Sequence, residues 1–198
     1  MMGRTHMTTG LTAGSWLAAV GAVAGVPAAL VAFAVPLCAW AALLPDLDHG
    51  RSTATLSVPP VTIPVSWVLR RFVDHRGPTH TLRAAPAFGA VVALPTAWIP
   101  GPLGGWSALW WFLVVTLGCV THIFGDARTL SGTPWRGRWR RVEVLGRVVY
   151  RTNGGRLRIG QVFRTGSEYE EWRLHRVYLP AAVVSMVVAA VVLRACTR

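Results

Sequence analysis

Four Asp and six His are the side chains best equipped for metal or acid–base chemistry in this 198-residue chain. All four Asp and five of the His fall in four short stretches. These are Arg4-Thr5-His6, Pro45-Asp46-Leu47-Asp48-His49, Asp74-His75-Arg76-Gly77-Pro78-Thr79-His80 and His122-Ile123-Phe124-Gly125-Asp126. Neutral imidazole and carboxylate together form a donor set for a divalent metal such as Zn, Mn or Fe. His122 and Asp126 are four residues apart, which puts both on one face of a helix. Asp46 and Asp48 are two apart in a short post-helix stretch, where both carboxylates can point the same way. His75 and His80 flank a Gly-Pro turn, and Pro78 suits the first turn of a helix. That places His80 beside free backbone N–H groups, where an anion is also favoured. Each stretch alone has a bland reading, as a polar cap at a membrane interface or an Asp paired with Arg. Together they crowd carboxylates that repel one another unless a cation sits among them.

The elements that must position these groups are membrane helices. Hydrophobic residues make up 53% of the chain and charged ones 14%, and mean hydropathy is +0.43. A soluble domain carries about 25% charge, and here the apolar residues lie in long uncharged runs. The length fits a single membrane domain, residues 1–198. The expected fold is mainly α, a polytopic bundle of about five transmembrane helices. The expected spans are Met7–Val26, Ala28–Leu44, Ala84–Ile99, Trp106–Phe124 and Val177–Leu193, several of them short. Pro36 is expected to bend the second. Arg4 and Ala22-Val23-Ala24 give the first span a rival reading as a signal peptide. A second span follows at once and cleavage would remove His6, so retention is expected.

Arg counting orients the bundle. The chain carries net charge +12 and its basic residues are all Arg. Twelve Arg lie between Arg128 and Arg176 and five between Arg51 and Arg83, with Arg4 before the first span. The connections near Gly25–Pro27 and Pro100–Gly105 are uncharged. The Arg-rich side is therefore expected to be cytoplasmic. On that topology all four His/Asp stretches come out at cytoplasmic helix ends. The Arg count used no information about His or Asp, so the coincidence carries weight. His175 stands apart among Arg173 and Arg176, as an interface anchor.

The segment 135–171 reads as an Arg-rich cytoplasmic β insertion. Val142, Val144, Val148, Tyr150, Leu157, Ile159 and Val162 recur between polar residues, and Asn153-Gly154-Gly155 is a hairpin-turn signal. It serves either as an anchor on anionic headgroups or as a lid over the site. Nucleic acid is not an expected partner, because the Arg residues lack interleaved aromatics. Cys38, Cys119 and Cys196 form no C-x-x-C pair and read as small apolar residues.

The sequence resembles the LexA-binding, inner-membrane-associated hydrolase family, also described as membrane-bound metal-dependent hydrolases. The resemblance rests on Thr5-His6, Leu44-Pro45-Asp46-Leu47-Asp48-His49, His75-Arg76-Gly77-Pro78-Thr79-His80 and His122-Ile123-Phe124-Gly125-Asp126, in order. Arg164-Thr165-Gly166-Ser167, followed by Glu170 or Glu171, is a further similar piece. The match covers about residues 5–171 and is weakest over Trp135–Tyr150. The resemblance implies a multi-spanning bacterial inner-membrane protein with a metal site and hydrolase activity.

The expected ligands are His6, Asp46, Asp48, His75, His80, His122 and Asp126, with His49 as a ligand or behind one. Asp46 or Asp74 is the candidate general base, and Arg76 the group that stabilises developing negative charge. A site at headgroup level ringed by Arg suggests a phosphoester or lipid headgroup as substrate, with membrane lipid as partner. The alternative is a non-catalytic metal-binding protein for transport or sensing, although transporters place ligands near the bilayer midplane. A purely structural protein with its Arg-rich loop docked on lipid is the third reading.

Overall fold

The computed structural model describes residues 1–98, 104–144, 147–153 and 155–197. The chain is mainly helical. In order, it forms α1 (Gly3–Val23), α2 (Ala28–Ala41), α3 (Thr53–Ser57), α4 (Pro59–Phe72), α5 (Ala84–Thr96), α6 (Gly104–Asp126), β1 (Arg138–Val144), β2 (Arg147–Asn153), α7 (Glu168–Arg173) and α8 (Leu179–Cys196). Two 3₁₀ turns, Leu44–Asp48 and Pro78–His80, and a π-helical turn, Leu174–Tyr178, link them.

Three helical stretches among the described residues are long and apolar enough to cross a membrane: Ala28–Asp48, Ser107–Asp126 and Glu168–Cys196. α1 has the length, but Thr5, Thr8, Gly10, Gly14 and Ser15 dilute its hydropathy along the buried face. α5 is apolar but has only 13 residues. Ile99, the expected end of the third span, lies outside the described residues. α2 runs through Pro36 without ending there.

α1, α2 and α6 pack side by side, with α8 against α1 and α5 against α6. Small residues let the backbones close up. A Cβ on Gly10 would stand 2.8 Å from Ala39 Cα, and one on Gly118 would stand 2.6 Å from Cys38 O. Gly10 of α1 and Gly118 of α6 thus clamp α2 from two sides. One part of the core, around Val31, Ala34, Cys38, Trp110 and Val114, lies toward the uncharged end. The other, around Leu43, Leu44, Leu47, Val115, Cys119 and Ile123, underlies the His/Asp stretches.

The strands pair antiparallel, from Arg138 opposite Asn153 to Val144 opposite Arg147. The expected turn signal Asn153-Gly154-Gly155 includes Gly154, which lies outside the described residues; Asn153 is the last residue of β2. Residues after β2 return by isolated bridges, Thr133 with Leu157 and Thr129 with Phe163. The segment between His49 and Asp74 forms two helices. α3 is capped by Ser52, whose Oγ accepts from Thr55 N at 3.1 Å. Pro59 opens α4 at its first turn.

Candidate metal centre

Four chain segments deliver the chemistry to one end of the bundle. The first turns of α1 carry His6, and the last turn of α6 carries His122 and Asp126. The 3₁₀ turn after α2 carries Asp46 and Asp48, and the one before α5 carries His80. His80 was expected at the start of the third span. It stands instead in a separate turn, because the backbone N–H groups of that turn bond back to Gly77 O and Pro78 O and α5 begins only at Ala84.

His6, His80 and His122 have no solvent exposure, and Asp126 has almost none. His80 Nε2 and His122 Nε2 are 3.2 Å apart. Asp126 Oδ2 lies 3.6 Å from the first and 3.9 Å from the second. Asp46 Oδ1 lies 3.3 Å and 3.6 Å from the same two nitrogens. Donors bonded at about 2.1 Å to one tetrahedral ion stand roughly 3.4 Å apart, so these separations suit a shared cation. His6 stacks on His122 with ring centroids 3.7 Å apart, and its Nε2 is 3.3 Å from Asp126 Oδ1. Two triads of donors share His122: His80–His122–Asp126 and His6–Asp46–His122.

The outer atoms of the imidazoles are fixed by neighbours. His122 Nδ1 donates to the Ala42 carbonyl at 2.7 Å, which leaves Nε2 as the lone-pair nitrogen. Thr79 Oγ1 donates to Asp48 Oδ2 at 2.5 Å and stands 3.0 Å from His80 Nδ1, from which it accepts. Asp46 and Asp48 therefore do different things, although they are two residues apart. Asp46 meets His80 on its Nε2 side, while Asp48 sits behind Nδ1 at 3.4 Å. Asp48 also takes the Arg76 backbone N–H at 3.1 Å and His75 Nδ1 at 2.7 Å. It fastens the whole 75–80 loop. Arg76 holds a positive φ of 55° within that loop, a conformation that costs of order 1 kcal/mol for a non-Gly residue. Burial works against a charge on His80, but hydrogen bonds to Asp46 and Asp48 outweigh it and raise its pKa to about 9.

Polar atoms left without partners test whether a metal fits. Both ring nitrogens of His6 and Oδ2 of Asp126 are buried without an aligned hydrogen bond. Buried orphans of this kind are costly in a packed interior. Here His6 Nε2 and Asp126 Oδ2 face other donors of the same cluster, and Asp126 Oδ2 also faces the Arg76 guanidinium. A divalent cation satisfies lone pairs of imidazole and carboxylate at once, so the residues fit such a group.

Several expected residues stand elsewhere. Asp74 is outside the cluster: it is half exposed and pairs with Arg151 of β2 at 2.5 Å. His75 is exposed, oriented by Asp48, and forms a third donor group with Asp46 and Asp48. His49 is exposed, its ring 5.1 Å from that of His75. Arg76 reaches Asp126, Nε to Oδ2 at 3.3 Å, and the amino group of Met1 reaches Asp126 Oδ1. His175 pairs with Glu171 at the surface. Asp46, His49, Arg51, His75, Arg76 and Thr165 line a polar cleft of about 290 Å³ that opens on the cluster.

Residues that the sequence reading passed over also matter. Thr79 and the Ala42 carbonyl orient the imidazoles. Glu170 is fully buried and accepts from Met2 N at 2.7 Å and Gly166 N at 2.8 Å, tying the start of α1 to α7. The Ser-x-x-Glu spacing of Ser167 and Glu170 is a capping signal that could have drawn attention to it.

Apolar helices long enough to span a bilayer, with a buried His/Asp cluster at one end that could hold a metal ion, define the class as a helical membrane protein. The chain belongs to the YdjM inner membrane protein family, whose model matches residues 1–195. No curated protein matches it, and no solved structure does.

Proposed function

We propose that this protein is a membrane-bound metal-dependent hydrolase acting on a phosphoester or a lipid headgroup. The observation that carries the reading is the convergence of three buried imidazoles and two carboxylates, from four chain segments, beside a polar cleft lined with Arg. His80, His122 and Asp126 would hold a divalent ion, Zn, Mn or Fe, with His6 and Asp46 completing the set or holding a second. Such an ion supplies Lewis acidity and acidifies water.

The chain's own groups divide the remaining work. Arg51 and Arg76 face the cleft and receive an anionic group. Asp46 is the carboxylate of the centre that lines the cleft, and it takes the proton of the attacking water. His75, held through Nδ1 by Asp48, presents its other nitrogen to the cleft and returns a proton to the departing oxygen. Asp74, occupied by Arg151, has no part in this scheme.

The proposal includes a five-helix arrangement, with α1 and α5 joining the three long apolar stretches, and a cytoplasmic centre. Arg distribution supports that orientation. The Arg-rich hairpin then lies on the same side, against anionic headgroups. A non-catalytic role in transport or sensing keeps the metal but not the cleft chemistry.

The test has two stages. Elemental analysis of purified wild type should give stoichiometric divalent metal, and His122→Ala should lose it. The loaded protein should then turn over phosphomonoesters or phospholipids in detergent or vesicles. Stoichiometric metal without any hydrolysis would transfer support to the non-catalytic reading, and no metal at all would end both.

A further inference from the structure

α4 is built inside out for a protein in water. Thr62 and Ser66 are its buried residues. Thr62 Oγ1 donates to Thr55 O at 2.7 Å, and Ser66 Oγ accepts from Thr55 Oγ1 at 3.1 Å. Val61, Val65, Val68 and Phe72, at helical spacing, are 42–60% exposed. A helix that hides its hydroxyls and shows its valines faces hydrocarbon, in keeping with an inner-membrane family. Its C-terminal end carries Arg70 and Arg71, with the Arg71 guanidinium 4.5 Å over the Trp67 ring, an arrangement suited to the headgroup level.

α5 also shows apolar side chains outward, Val91 and Leu94. Between the C-terminal end of α4, α5 and Tyr150 of β2 lies a groove of about 440 Å³, within the ~300–1,000 Å³ range of ligand sites. Leu69, Val73, Ala84, Ala87, Phe88 and Val91 form most of its wall. Thr79 lines it too, and Thr79 is the residue whose hydroxyl bridges Asp48 and His80. The groove therefore runs along the apolar face of α5, beside the apolar end of α4, and reaches a side chain that touches the His/Asp cluster. The Arg70 guanidinium packs over Gly50, beside His49 and Arg51 of the polar cleft.

We infer that this groove binds one acyl chain of a phospholipid, entered sideways from the bilayer, with the phosphate in the Arg-lined cleft. The inference rests on the hydrolase reading for what happens to the headgroup, but not for the seating of the chain. An apolar wall on α5, continuous with outward-facing Val91 and closed by Leu69 and Val73, lets a chain enter without crossing water, which no soluble ligand requires. The cationic cleft beside Asp46 and His75 complements a phosphate.

A phosphatidic acid with a diazirine in one acyl chain, in phosphatidylethanolamine and phosphatidylglycerol vesicles, tests this on the full chain. After photolysis, labelled peptides are mapped and bound metal is measured in the same samples. Labelling is expected to concentrate on residues 69–73 and 84–91. Ala87→Trp, which fills the groove, should cut it at least fivefold, as should Val91→Trp. Val184→Trp on the outward face of α8 should leave it unchanged. Equal labelling of the groove and of α8, or labelling that survives both groove variants, would overturn the inference. Metal retained while groove labelling is absent sinks the groove alone. Groove labelling without stoichiometric metal leaves the chain site standing and removes the hydrolase.

Discussion

At the scale of single residues, the proposed centre separates groups that would hold a cation from groups that shape its surroundings. His75→Gln should keep full metal content, because its ring is exposed and bonded to Asp48 rather than packed among the buried nitrogens. On the proposed chemistry it should lower kcat about 10²–10⁴-fold. His122→Ala should abolish metal and activity together, and elemental analysis beside turnover tells the two apart. His80 gives a pH dependence. Burial opposes its charge, but the hydrogen bonds to Asp46 and Asp48 prevail and raise its pKa to about 9. Its Nε2 must lose a proton to bind metal, so metal affinity should rise by about tenfold per pH unit and level off above about 9. In the metal-free protein the same shift stabilises the fold fully below about 6.5, and that contribution is lost as pH rises through about 9. Calorimetric titration with Zn in buffers of different ionisation heat measures the released proton directly, and a flat profile from pH 6 to 9 would count against a ligand role for His80.

At the scale of elements, small residues decide whether the donors meet. Gly118 lies one turn before His122 on α6 and presses on the Cys38 carbonyl and Ala41 of α2, the helix that leads to Asp46. Gly118→Ala should push the two helices apart and cost about 1–3 kcal/mol by overpacking. Metal affinity should fall with it, although the substitution touches no ligand. Thermal unfolding with and without added Zn measures both effects, and unchanged affinity would show that the α2–α6 spacing does not set the site. The same contrast explains what was legible in the sequence. The clustering of Asp46, His80, His122 and Asp126 at one end was readable, because hydrophobic runs and Arg counts locate helix ends without side-chain detail. The different tasks of Asp46 and Asp48 were not, since a 3₁₀ turn aims neighbouring carboxylates apart and spacing alone says nothing of which side of His80 they meet. α4 escaped notice because its buried face is polar, so the usual search for an inward apolar stripe reads it as a loop.

At the scale of the whole molecule, a cation held by this cluster would act as a staple. His6, Asp46, His80, His122 and Asp126 span 121 positions of the chain and come from segments that otherwise meet through an apolar core and the polar contacts of Asp48 and Arg76. Without a metal ion, the bundle's end holds three close imidazoles, of which His80 keeps its proton up to about pH 9, two carboxylates, of which Asp126 is paired with the Met1 amino group and Arg76, and several buried atoms without hydrogen-bond partners. A ligand that binds only the folded form adds RT ln(1 + [L]/Kd), about 4 kcal/mol at a thousandfold excess over Kd. For a chain of this size that corresponds to roughly 8–16 °C in Tm. Treatment with a chelator should lower Tm by that order, and restoring Zn or Mn should recover it. His122→Ala should start at the lower Tm and respond to neither. If wild type and His122→Ala shift equally with chelator, the cation is bound elsewhere. If neither shifts, the buried donors are held by protons and side chains alone, and the metal centre falls with that result.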